Sequence, residues 1–144
     1  MPMALTREEK AERLHSVELF AGVDEDGLGA IADRAVEVSY PAGRWIVRQG
    51  EIGTGFFLVL SGRARVVRDD EVLAQIGPGD FFGELSLLDQ QPRTAHVITD
   101  DPTVCLALAS WDLDALLETH PRIAVALLRG LARRARATTE RHRH

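Results

Sequence analysis

The most constraining feature of this chain is a series of short β-rich runs broken every few residues by turn formers. The runs fall at Val36–Tyr40, Trp45–Arg48, Phe56–Leu60, Ala64–Arg68, Val72–Ile76, Ala95–Thr99 and Val104–Leu108. Between them stand Pro41-Ala42-Gly43, Gly50, Ser61-Gly62, Asp69-Asp70 and Gly77-Pro78-Gly79-Asp80. Short strands at close spacing with Gly and Pro punctuation predict an antiparallel sandwich or jelly-roll barrel over residues 36–108. Most of the glycines fall where a turn wants positive φ, so their role is structural.

Helical patterning flanks this block. Thr6 with Glu9 makes a capping box, followed by Ala11, Leu14 and His15 at helical spacing. Asp24 is placed to cap a second short helix through Leu28, Ile31 and Ala32, although Gly27 and Gly29 weaken it. Beyond the strands, Ser110 is placed to cap a helix carrying Leu113, Leu116 and Leu117, and Pro121 suits the first position of another. Ile123, Leu127, Leu128 and Leu131 give that last helix an apolar stripe. We therefore expect one mainly β domain over 1–144, with helices at about 6–34, a barrel at about 36–108 and two helices at about 110–140.

Length and charge narrow the function classes. The chain has 144 residues, enough for one core. Its longest apolar runs are strand-sized, so no membrane segment is expected, and the amino terminus has no signal-peptide core. Cys105 is the single cysteine, which fits a reducing cytoplasm; its apolar neighbours mark a buried, inert thiol. The formal net charge is −5, but residues 121–144 carry seven arginines against Glu140, so the first 120 residues hold −11. A body so acidic is a poor general binder of nucleic acid. The basic tail suits a helix carboxyl end and complements that body; contact with an acidic partner or nucleic acid is the alternative.

Residues 82–95, Phe-Gly-Glu-Leu-Ser-Leu-Leu-Asp-Gln-Gln-Pro-Arg-Thr-Ala, carry the chemistry. A helix starting near Gly83-Glu84 leaves the first backbone N–H groups without helical partners, and such an end attracts an anion. Gly83 lets a ligand approach the backbone without a Cβ in the way. A carboxylate at an anion-attracting end makes sense if Glu84 accepts from a sugar hydroxyl instead of facing the phosphate. Arg93 supplies a forked, permanent cation for phosphate oxygens, and Thr94 a hydroxyl beside it. A phosphorylated sugar fits this set. So does a capped helical turn in which Glu84 and Arg93 merely pair, and the residues alone leave both readings open.

The segment resembles the phosphate-binding cassette of cyclic nucleotide-binding domains at Phe82, Gly83, Glu84, Leu85, Ser86, Leu87, Pro92, Arg93, Thr94 and Ala95. The resemblance extends upstream through Leu19-Phe20-Ala21-Gly22-Val23, Gly50-Glu51, Ser61-Gly62 and Gly77–Phe82, and covers the chain from about Val17 to the last helix. It implies an eight-stranded jelly roll with flanking helices. It also implies Glu84 on a ribose 2′-hydroxyl and Arg93 on a cyclic phosphate, with amides around Gly83, Leu85, Ser86, Thr94 and Ala95 completing the cradle. Val66 and Ala74 match positions that meet the base. Arg134 matches a base-capping position on the last helix, with Arg133, Arg136 and Thr138 as rivals. The implied ligand is 3′,5′-cyclic AMP, with cyclic GMP the competitor that Thr94 keeps in play.

His96 departs from the family pattern and reads as structural. No catalytic constellation stands out, and we expect no enzyme and no cofactor. A cupin-type metal centre needs several histidines inside a barrel; His15 and His120 fall in helices, and His142 and His144 in the tail. The chain ends at His144 without a helix-turn-helix module, so the expectation is a sensor that stands alone or forms part of a larger transcription regulator. Its output would be a protein partner or self-association through the last helix. A domain that kept the fold and lost the ligand is the remaining alternative.

Overall fold

A computed structural model of the chain describes residues 4–53 and 55–141, with the backbone alone at 84–86 and 138–141. Arg34–Leu113 forms one compact unit, and the segments before and after it form a second.

In the first unit, eight strands among the described residues make two four-stranded antiparallel sheets. The strands are β1 (Val36–Tyr40), β2 (Trp45–Val47), β3 (Gly55–Ser61), β4 (Ala64–Arg68), β5 (Glu71–Ile76), β6 (Phe81–Phe82), β7 (His96–Thr99) and β8 (Thr103–Ala109). One sheet runs β1-β8-β3-β6 and the other β2-β7-β4-β5, the jelly-roll arrangement expected from the strand grammar. The core follows from the register. Phe56 pairs with Leu108 and Leu58 with Leu106 across β3 and β8, and all four are buried. Fully burying each such side chain contributes about 1.5–3 kcal/mol, so this pair of central strands anchors the unit. By contrast β5 is an edge strand, exposed along most of its length.

The β6 strand was not among the expected runs. Two residues carry no periodicity; what makes Phe81 and Phe82 a strand is pairing with Leu58 and Phe57 on β3. The Phe57 and Phe82 rings stack with centroids 5.1 Å apart, which ties the approach to the cassette onto the core sheet. A short helix, α3 (Glu84–Asp89), follows directly. Buried Cys105 lies on β8, as its apolar neighbours predicted.

The second unit begins with α1 (Arg7–His15), whose capping box is complete: the Glu9 N–H donates to Thr6 Oγ1 at 3.1 Å and the Thr6 N–H to Glu9 Oε1 at 3.0 Å. After a 3₁₀ turn at Glu18–Phe20 comes α2 (Glu25–Arg34), capped by Asp24, which accepts from the Gly27 N–H at 2.8 Å. Gly27, which weakens this helix by propensity, is required by packing. A Cβ there would stand 2.7 Å from Val23 Cγ1 and 3.2 Å from Ile123 Cγ1. The remaining helices are α4 (Ser110–Thr119) and α5 (Pro121–Arg141). Pro121 opens α5 as expected, while Ser110 stands as the first helical residue of α4 and is buried. No helix among the described residues is long and apolar enough to cross a membrane.

Candidate functional site

The cassette residues are held by a ladder that joins two loops. The Arg93 N–H donates to Glu51 O at 2.8 Å, the Gly50 N–H to Arg93 O at 2.9 Å, and the Gly53 N–H to Gln91 O at 3.1 Å. Ile52 and Pro92 face each other across this ladder. The backbone of Arg93 is therefore fixed on both of its polar groups before its side chain does anything.

The side chain is fixed as well. Arg93 Nη2 donates to the carbonyl of Gly55 at 2.7 Å. Gly83 makes room for that contact, because a Cβ on it would come within 2.5 Å of both Arg93 Nη1 and Gly55 O. Its φ of +83° is a second demand for glycine, since L side chains rarely adopt it. Burial lowers the Arg93 pKa from its ordinary value. A guanidinium titrates so high that it stays charged, and a half-buried cation is a stronger partner for an anion than one in open water.

Gly83, Gln91, Pro92 and Arg93 line a cavity of about 320 Å³. Of the residues expected from sequence, Gly83, Arg93, Thr94, Ala95 and Val66 all face it. Thr94 is exposed, and Arg68 Nε donates to its backbone carbonyl at 3.0 Å, which secures the segment from the β4 side. The side chains of Glu84, Leu85 and Ser86 lie outside the described residues; their backbone forms the first turn of α3. Ala74 pairs with Val66 across β4 and β5 but is exposed and is not part of the cavity lining. Arg134, Arg133 and Arg136 are exposed on α5 in the other unit, and the Thr138 side chain lies outside the described residues.

Sequence reasoning missed Val47 and Val97, which also line the cavity, and three polar contributors. Asp89 and Gln91 line the cavity, and the Gly55 carbonyl holds Arg93. Asp89 and Gln91 sit inside the cassette where they read as loop filler, and a backbone carbonyl has no side-chain signature at all. His96 is structural, as expected: its Nδ1 accepts from the Gln49 N–H at 2.9 Å, and its ring packs edge-on against Trp45. Arg93 also lines a second cavity of about 260 Å³ together with Phe57 and Trp111.

A jelly roll with a glycine-opened turn, a short helix and a held arginine lining one cavity defines a class that comparison names. The profile of the cyclic nucleotide-binding domain family matches residues 37–120, and the chain belongs to that family. It is 35% identical over 130 residues to a CRP-like cAMP-activated global transcriptional regulator of Mycobacterium tuberculosis, covering 83% of this chain and 56% of the relative. It is also 35% identical over 123 residues to a cGMP-dependent protein kinase of Drosophila melanogaster, covering 80% of this chain and 13% of the kinase. Among solved structures, it is similar to the N-terminal domain of a transcriptional regulator from Streptomyces coelicolor A3(2). That match has a TM-score of 0.83 and 34% identity and covers 89% of this chain and 95% of the other. The chain spans about half the length of the bacterial curated relatives it matches.

Proposed function

We propose that this chain is a regulatory sensor that binds a 3′,5′-cyclic nucleotide, cyclic AMP in preference to cyclic GMP, and performs no catalysis of its own. The observation that carries the reading is the Arg93 guanidinium held on the Gly55 carbonyl beside Gly83, lining a cavity of about 320 Å³. One nitrogen is committed to the carbonyl; among the described residues no other side-chain partner of the fork is seen, which supports its remaining N–H groups as donors to the phosphate. Amides around Gly83, Leu85, Ser86, Thr94 and Ala95 complete the cradle. Glu84 takes the ribose 2′-hydroxyl, which a carboxylate accepts and a phosphate-facing role would not explain. Val66 meets the base, with Ala74 beside it on β5. The bacterial relative described as cAMP-activated favours the adenine nucleotide, and Thr94 is the residue through which cyclic GMP competes.

Binding acts on output by favouring one of two states. Phosphate draws the cassette inward, and α5, with Arg134 as its base-capping residue, closes over the base. The end point is a protein partner or a second copy engaged through α5.

Calorimetry with cyclic AMP and cyclic GMP, on wild type and Arg93→Ala, tests the reading. Wild type binds, cyclic AMP more tightly, and Arg93→Ala loses most of the affinity. Binding that survives the substitution overturns the site assignment. A wild-type melt indifferent to millimolar nucleotide identifies instead a domain that has lost its ligand, because a ligand at 100 times its Kd raises stability by about 2.7 kcal/mol.

A further inference from the structure

The helical unit contains a concavity of its own, about 420 Å³, between Gly22–Asp24 and the first half of α5. Three arginines line it: Arg122, Arg129 and Arg133. Separations of seven and four residues place them on one face of the helix, along about 16 Å of its length. All three are exposed, and among the described residues neither Arg129 nor Arg133 has an ion-pair partner. Among the described residues Asp24 is the only carboxylate in the lining, and it is already engaged: one oxygen caps α2 at Gly27 and the other lies 3.9 Å from Arg122 Nη1.

The Arg133 head group lies over Gly22 and Gly130: a Cβ on Gly22 would stand 3.6 Å from Arg133 Nη2 and one on Gly130 3.7 Å, both ordinary contact distances. Gly130, in mid-helix, also lets α5 approach the 3₁₀ turn, since its Cβ would come to 3.2 Å from Leu19 O. Val125, 44% exposed, adds an apolar surface among the cations.

We propose that this groove docks an acidic peptide segment of a partner protein. Its charge is complementary to carboxylates, with three cations against one committed anion. Its concave form and the exposed Val125 suit a short peptide with an aliphatic residue. A nucleic-acid backbone would instead bring a long polyanion against a chain whose first 120 residues carry −11. The spacing sets a register. Arg133 to Arg129 is about 6 Å along the helix and Arg129 to Arg122 about 10 Å, distances spanned by two and three residues of extended peptide.

The probe is a fluorescein-labelled hexapeptide, Glu-Ala-Glu-Leu-Ala-Glu, titrated with the full chain at low salt and followed by anisotropy. Wild type binds it and does not bind the same peptide with glutamines for glutamates. Arg122→Glu with Arg129→Glu weakens binding at least about tenfold, and the glutamine double variant weakens it with less perturbation of the fold. Arg44→Glu, on an exposed residue of the other unit, leaves it unchanged. The proposal is overturned if wild type ignores the peptide or if the double variant binds it as well as wild type. Preference for a 20-base-pair duplex through the same arginines also overturns it. So does sedimentation showing that they hold a second copy of the chain in the groove.

Discussion

Arg93 in the β unit and Arg122, Arg129 and Arg133 in the helical unit present the same guanidinium in opposite settings. Arg93 is half-buried, its backbone tied on both sides and its head group committed to one carbonyl. The α5 arginines are exposed, and water screens them. A single fixed cation in a cavity selects by geometry, since its fork is already aimed and little entropy is lost on binding. Three exposed cations act as a field, with affinity that tracks charge count and salt more than shape.

The sharpest way to break this comparison is Arg93→Ala. Truncating one partner of a desolvated charged pair costs about 2–4 kcal/mol, so calorimetry should show cyclic nucleotide affinity falling by about 30- to 1,000-fold. A loss of only a few-fold would put Arg93 in the same class as the surface arginines. Next is Gly83→Ala, which places a Cβ at positive φ and into the contact between Arg93 and Gly55. It should cost about 1–3 kcal/mol of stability in urea melts and weaken nucleotide binding as well. An unchanged melt would mean the cassette turn relaxes freely.

Burial in the β unit makes a third test, at Cys105, whose thiol pKa is pushed up from 9.0 to about 11 by desolvation. The folded state holds its proton more tightly than the unfolded state, so stability is full below pH 9 and falls as pH rises toward 11. At pH 10 the loss is on the order of 1 kcal/mol, seen as a difference between pH 7 and pH 10 urea melts that Cys105→Ala lacks. The smallest effect is one of salt. Raising it from about 50 to 200 mM should weaken acidic-peptide binding several-fold and cyclic nucleotide binding less, because the buried cation is screened less. Equal salt dependence would remove the distinction.

Much of the fold was legible because its signals are local. The capping box at Thr6 and Glu9, the Asp24 cap and Pro121 at a helix start each depend on residues a few positions apart. The expected strands recur within a residue or two of their limits, since β-branched runs end where Gly and Pro intervene. The exception is β6, which exists through Phe81 and Phe82 meeting β3. Gly27 misled for a related reason: propensity counts the glycine as a cost, whereas the neighbouring Val23 and Ile123 side chains leave no space for anything larger.

The site divides the same way. Residue types and spacing within 82–95 left a phosphorylated sugar and a capped helical turn both open; the family resemblance chose between them and named Gly83, Arg93, Thr94 and Ala95, because the cassette is contiguous. Sequence also determined the uneven charge, −11 in the first 120 residues and seven arginines after them. Tertiary structure alone decided what holds Arg93, since the Gly55 carbonyl lies 38 residues away and every residue carries the same carbonyl. It alone gathered Gly22 and Asp24 opposite three arginines of α5 into one groove. Side-chain chemistry is written in the chain locally; which backbone groups it meets is settled only when distant segments pack.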